Sequence, residues 1–256
     1  MQRPVWFERQ QCEKGSEMRK MFLLAGLMLL AGANGLQAAP ILITTPGALG
    51  ANDSVNWSQL GSDGATIPAA FAATSANNFG GAGAIAGSLT GTDGCVAVVN
   101  GVNCGWVAGP GFNAGDFLVW AEDASGNGSG PLSFSFPSVF GAGLWLQATA
   151  PGAFTAQIEA FNGASSLGVF SEASNAAGDG LFIGVLDSVA DITAIKLSLT
   201  ASSGDLKDFA VNSLLLNEPI ATGPAPVPEP SSLLLLASGG LALVRRVRRA
   251  RRATRN

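Results

Sequence analysis

Gly143-Leu144-Trp145-Leu146-Gln147-Ala148-Thr149 is the stretch that decides the fold class. Leu144, Leu146 and Ala148 fall on one side of an extended chain and Trp145 and Gln147 on the other, the period-two pattern of a half-buried strand and not the 3.6-residue period of a helix. Ile195, Leu197 and Leu199 against Lys196 and Ser198 repeat it. Working outward, further short runs of strand character are Ile41–Thr44, Cys95–Val99, Val102–Val107, Phe117–Ala121, Leu132–Phe136, Phe154–Phe161, Leu167–Ser171, Leu181–Leu186 and Phe209–Leu216. Turn residues punctuate them: Asn100-Gly101, Pro110-Gly111, Gly126-Asn127-Gly128-Ser129-Gly130 and Pro151-Gly152. Many short strands at even spacing, with no long amphipathic helix among them, predict an all-β fold, an antiparallel β-sandwich of jelly-roll type. Residues 61–91 are small, Gly-rich and poor in large apolar side chains, so long loops with at most edge strands are expected there. No internal repeat is evident, which argues against a β-helix or a propeller.

The two ends of the chain have a different character. Met18-Arg19-Lys20 before Met21–Ala33 pairs a basic region with an apolar one, and Leu36-Gln37-Ala38-Ala39-Pro40 supplies a small-residue exit. Residues 18–38 therefore read as a signal peptide cut after Ala38, because a cut after Ala39 would set Pro40 against the scissile bond. Residues 1–17 are polar and precede a complete signal peptide with its own Met18, as expected of a start codon assigned too early. At the other end, residues 223–230 form a linker carrying Pro228, Glu229 and Pro230, residues 231–244 are an apolar run, and residues 245–256 hold Arg245, Arg246, Arg248, Arg249, Arg251, Arg252 and Arg255. The run would make a helix about 21 Å long, short of a hydrocarbon core of roughly 30 Å. Arginine stems buried up to the headgroups lengthen the effective span and pin this end in the cytoplasm, so a single transmembrane helix is expected at 231–244. The prolines on either side of Glu229 hold it extended, a form that suits a processing enzyme.

Between these ends, residues 39–222 have the length of one exported domain. From residue 39 to 226, fourteen acidic residues face only Lys196 and Lys207, a net charge of −12 that the arginine tail hides in the whole-chain value of −4. A surface of that sign excludes nucleic acid as a partner, since phosphates require cations.

Motifs for chemistry are few. Histidine is absent, which removes Ser-His-Asp and Cys-His nucleophile systems and the common zinc sites. Glu122, Asp123, Glu159 and Glu172 are candidates for a carboxylate pair of the glycoside-hydrolase kind, but no catalytic residue is assigned and no enzyme activity is expected. Cofactors are expected to be absent as well. Asp123-Ala124-Ser125-Gly126-Asn127-Gly128 matches the first half of a calcium-binding EF-hand loop, yet Phe134 stands where the bidentate acid belongs; Asp205 and Asp208 are a second, turn-capping calcium candidate. Cys95 and Cys104 are the cysteines left after export, and a disulfide is expected in an oxidising compartment. A two-residue Asn100-Gly101 turn would put Ala97 opposite Cys104, so the bridge needs a longer loop or a bulge. Trp57, Trp106, Trp120 and Trp145 would ordinarily be core; Trp145 and Trp120 are the candidates for a sugar-stacking platform.

Val227-Pro228-Glu229-Pro230-Ser231, the Leu-rich run with Gly239-Gly240 and the arginine cluster resemble the PEP-CTERM sorting signal of Gram-negative bacteria. The resemblance implies export through the Sec machinery and signal peptidase, anchoring in the inner membrane, and handling by an exosortase. It also implies an association with exopolysaccharide and a destination at the cell surface or in the extracellular matrix. Asn52–Gly61, Gly141–Gln147, Phe154-Thr155-Ala156 and Asp208–Asn212 resemble a group of PEP-CTERM-anchored β-sandwich proteins, from which no activity transfers. The expectation is an exported, transiently anchored structural or exopolysaccharide-associated protein; a carboxylate-dependent glycan hydrolase is the alternative.

Overall fold

The computed structural model of the chain describes residues 39–77, 84–103 and 105–219. These residues form thirteen strands with almost no helix: β1 (Ile41–Ile43), β2 (Asp53–Val55), β3 (Thr66–Thr74), β4 (Ala84–Val98), β5 (Phe117–Trp120), β6 (Leu132–Val139), β7 (Gly141–Ala148), β8 (Thr155–Asn162), β9 (Ser165–Ala173), β10 (Leu181–Leu186), β11 (Ile192–Ala201), β12 (Phe209–Val211) and β13 (Leu214–Asn217). The helical elements are α1 (Pro46–Leu49), which ends on Gly50 in the left-handed region, and a 3-10 turn at Trp57–Leu60. Every strand pair is antiparallel.

Hydrogen bonding runs continuously through β1-β10-β7-β12-β5-β4-β6-β11-β8-β9, with β13 beside β7, β2 beside β13 and β3 beside β4. One long strand joins the two layers of this sandwich-like sheet. Ala86–Leu89 of β4 pairs with β6, while Cys95–Val98 pairs with β5 in the other layer. Leu144, Leu146 and Ala148 of β7 face inward and share one core with Ile195 and Leu197 of β11 and Ile158 of β8. The period-two alternation of the central stretch is thus what the core uses, each fully buried Leu or Ile contributing about 1.5–3 kcal/mol.

The expectation of loops over 61–91 is corrected. β3 and β4 are strands of nine and fifteen residues, and β4 is central to the sheet. Their inward positions are Ile67, Phe71 and Ala73 on β3 and Ile85, Gly87 and Leu89 on β4. Two of these are small, Ala73 and Gly87; Gly87 is paired with Phe71 on one side and Phe134 on the other, and the Phe71 ring covers its bare Cα. Trp57 stacks on Phe134 at 5.0 Å and closes the cluster. Glycine between two aromatic residues leaves space that the rings fill, so a low-hydropathy segment builds core.

Val102–Val107 is not a strand, a second correction. Val102 and Val107 are 94% and 73% exposed. The partner of the β4 end is β5, through Val98↔Phe117. Asn100, at φ 61°, turns the chain, and the Asp63 carboxylate then takes the N–H groups of Val98, Val102 and Asn103, all at 2.9 Å. Those donors are therefore spent on a carboxylate and not on a ladder.

The sheet register also places both ends of the body at one pole. Ile41 pairs with Leu186, Leu186 with Gly141, and Gly141 with Asn217. The expected signal peptide (18–38), the residues before it, Ala38, the linker from residue 223, the expected helix at 231–244 and the arginine tail lie outside the described residues. Among the described residues, no helix is long and apolar enough to cross a membrane.

Candidate functional site

The outward face of the β4-β5-β12-β7 layer is apolar, with Cys95, Ala97, Leu118, Trp120, Ala210 and Trp145 pointing away from the main core. It is not left to solvent. The segment between β4 and β5 folds back over it and presses Trp106 and Phe112 onto the sheet, the two rings stacked at 5.8 Å. Trp106 meets Trp120 edge to face at 5.8 Å and is 8% exposed.

Polar side chains fasten this roof from several sides. Asp63 holds its start; the three N–H bonds keep its carboxyl below the usual range against the opposing effect of burial, which is the largest influence. Asn100 Oδ1 accepts from Ala108 N, and Asn100 N donates to the Trp106 carbonyl at 2.7 Å. At the far end Asn212 Nδ2 donates to the Gly111 carbonyl and to Asp116 Oδ2, each at 2.7 Å. Gly111, at φ 78°, lies flat against the Trp145 indole, where any side chain would collide with the ring.

Where the roof stops short of the strand ends, a cleft of about 340 Å³ opens, lined by Trp106 and Val107 of the roof, Trp120, Gln147 and Thr149, and Gly178. Trp120 is held in it by its indole N–H, which donates to Asp208 Oδ1 at 2.7 Å and to Thr149 Oγ1 at 3.1 Å; Thr149 Oγ1 in turn donates to the same Asp208 oxygen at 2.6 Å. Gln147 Nε2 donates to the Gly178 carbonyl at 3.0 Å and fixes the opposite lip. The indole N–H of Trp106 is buried and has no hydrogen-bond partner among the described residues. The cleft thus has a rigid aromatic wall and an amide and hydroxyl rim, a surface that can stack on a ring face and exchange hydrogen bonds with hydroxyl groups.

Of the two tryptophans singled out from sequence, Trp120 lines this cleft, whereas Trp145 is half-buried beneath Gly111 and packs edge to face on Phe182 at 5.9 Å. Trp57 is fully buried, its N–H on the Asn212 carbonyl. The candidate carboxylates are dispersed. Glu159, on β8, pairs with Lys196 at 2.7 Å, and that bond first of all lowers its proton affinity. Glu122 follows β5 in the other layer; burial, and then the negative neighbours Asp208 and Asp123, raise its proton affinity. Asp123 accepts from Ser125 N and Asn127 N, the Asn127 backbone bond being the main cause of its lowered value, so the half EF-hand is a loop closed on its own acid. Asp205 takes Gly128 N and Lys207 N. Among the described residues no group of three or more His, Cys, Asp or Glu side chains is placed to hold a metal ion. Cys95 packs at the margin of the roofed patch; Cys104, its expected disulfide partner, lies outside the described residues, as do Pro228, Glu229, Pro230 and the arginines.

Sequence reading missed Trp106 as a wall of the cleft and Asp63 and Asn212 as the clamps of its roof. An isolated Trp in a Gly-rich stretch carries no periodicity, and an Asp or Asn that caps distant backbone has no local signature.

No curated protein matches the chain. The motif at its end is identified: residues 226–249 match the family model of the PEP-CTERM protein-sorting motif, and the chain therefore carries at its C-terminus the export-linked, membrane-anchored sorting signal of exosortase substrates.

Proposed function

We propose that the β-sandwich is a non-catalytic, exopolysaccharide-associated component of the envelope or extracellular matrix, and that it holds an extended glycan against the Trp106–Trp120 cleft before and after exosortase processing. The observation that carries this reading is the cleft itself: two indoles at 5.8 Å, one of them fixed through Asp208, beside the Gln147 and Thr149 rim. Stacking on an indole needs no catalytic constellation, and each such contact contributes on the order of 1 kcal/mol. The test is binding of the full exported chain to the producer's own exopolysaccharide, followed by acrylamide quenching of tryptophan fluorescence. Glycan should protect Trp120, and Trp120→Ala should weaken binding about tenfold while Trp145→Ala, if folded, weakens it less. Absence of binding by the unaltered chain removes the glycan reading and leaves a purely structural role.

A second reading, glycan hydrolysis, is favoured by one feature, the raised proton affinity of Glu122 beside Asp208, as a general acid requires. Release of reducing ends that Glu122→Gln abolishes would establish it in place of simple binding.

A further inference from the structure

The Trp106–Trp120 cleft is walled by indoles, but its polar atoms decide which glycan it takes. Thr149 Oγ1 accepts from the Trp120 N–H and donates to Asp208 Oδ1 at 2.6 Å, so towards the cleft it can only accept. Gln147 Nε2 spends one N–H on the Gly178 carbonyl, which leaves the rim one amide N–H beside Oε1. The Trp120 N–H is spent on Asp208 and Thr149, and that of Trp106 is buried out of a ligand's reach. Among the described residues, every side chain that lines the cleft is uncharged.

The charge that stands behind this rim is negative. Asp208 Oδ1 is bonded to both Trp120 and Thr149, so a group seated on Thr149 Oγ1 lies within two hydrogen-bond lengths, about 5–6 Å, of that oxygen. A second anion at that range is repelled, and it gives up hydration that no cation of the lining returns. The two lysines among the described residues are elsewhere: Lys196 bonds Glu159, and Lys207 packs its Cβ against Gly128. Over residues 39–226, fourteen acidic residues against two lysines extend the same sign to the whole surface, which opposes the approach of a polyanion at low salt. A sugar hydroxyl meets none of these costs. It donates to Thr149 Oγ1 or Gln147 Oε1, accepts from the remaining amide N–H, and leaves a ring face to stack on Trp120.

We infer, resting on the reading of the cleft as a glycan site, that it takes an uncharged glycan, a chain bearing hydroxyls and no carboxylate, sulfate or phosphate group, and that Asp208 turns acidic chains away. Asp208 thus does two things at once: it fixes the Trp120 indole and sets the sign of the site.

The test separates the producer's exopolysaccharide into a neutral and a uronate-bearing fraction. Part of the latter is carboxyl-reduced, which converts uronates to neutral hexoses on the same backbone. Binding of the full exported chain, purified in detergent from a host without exosortase, is measured on all three. At low salt, affinity for the neutral and reduced chains should exceed that for the unreduced chain by about tenfold or more. The gap should narrow at about 1 M salt, where the Debye length is about 3 Å. Trp120→Ala should weaken the neutral and reduced chains alike, as binding in the cleft requires. Asp208→Asn, which keeps an oxygen for Trp120 and Thr149, should narrow the gap at low salt. Tighter binding of the unreduced uronate chain through Trp120 overturns the inference and leaves the glycan reading standing, and so does a gap that Asp208→Asn leaves unchanged. Absence of binding to all three removes the glycan reading, and the inference with it.

Discussion

Gly87→Ala tests the part of the core that low hydropathy conceals. Gly87 sits in β4 between its partners Phe71 and Phe134, whose rings meet above it edge to face with centroids 6.2 Å apart. A methyl group added there would lie within the Phe71 ring. Taken alone, restricting the unfolded chain by Gly→Ala would stabilise by about 0.4–1 kcal/mol. Against this, Phe71 must swing away, losing an aromatic edge contact of about 0.5–1.5 kcal/mol and straining its surroundings by about 1–3 kcal/mol. Its second contact, with Trp57 at 6.4 Å, moves with it. Complete loss of the ring, about 3–5 kcal/mol, is the ceiling. The steric terms win, and the net expectation is about 1–4 kcal/mol of destabilisation. Urea denaturation of the full exported chain should show the midpoint falling by about 0.5–1.5 M at unchanged slope. In a Phe71→Ala background the ring is gone, and the same methyl should be neutral or mildly stabilising. An equal cost in both backgrounds would refute the account of Gly87 as space kept for two rings.

Asp63→Ala removes one carboxylate from three backbone donors and should destabilise the roof by about 2–3 kcal/mol, visible as faster hydrogen exchange at Val102 and Asn103 and weaker glycan retention. Because the Asp63 carboxyl lies below its ordinary value in the folded chain, its stabilisation is present above the unfolded value and should be lost as acid titration passes through the folded one; Asp63→Asn should flatten that acid limb. Lys196→Met breaks the bridge to Glu159 at a half-exposed position, and denaturation should register less than about 1 kcal/mol, smaller still in high salt. In an exosortase-bearing host the released protein should lack Ser231–Asn256 by intact mass, and a released species that keeps the arginine tail would sink the processing assignment.

What could be read from sequence depended on how each element signals its environment. β7 and β11 alternate large apolar with polar residues because one face is core, and those strands and Leu181–Leu186 emerge from pattern alone. The run Phe209–Leu216 reads as one strand, yet Asn212 interrupts it to clamp the roof, which divides it into β12 and β13 along the same edge of β7. β3 and β4 are hidden in sequence because their large inward residues, Ile67, Phe71, Ile85 and Leu89, are diluted by Ala, Gly, Ser and Thr, and Gly87 holds its core position only through the Phe71 ring. The sorting motif was legible in full, since its information is local: prolines, an apolar run and arginines in order. The cleft was half legible. Trp120 follows from being aromatic near a strand end, but its partner Trp106 and its anchor Asp208 come from segments remote in the chain, and only the fold brings them together.

The shared row of Ile41, Leu186, Gly141 and Asn217 has a topological consequence for a chain whose sorting signal follows its last strand. Three strand spacings separate the outer members of that row, about 15 Å, so the described chain begins and ends side by side. The Trp106–Trp120 cleft lies by Gln147 and Thr149, at the other end of β7, about 24 Å from Gly141 along the strand. The cleft and the two ends of the described chain therefore lie at opposite ends of that strand.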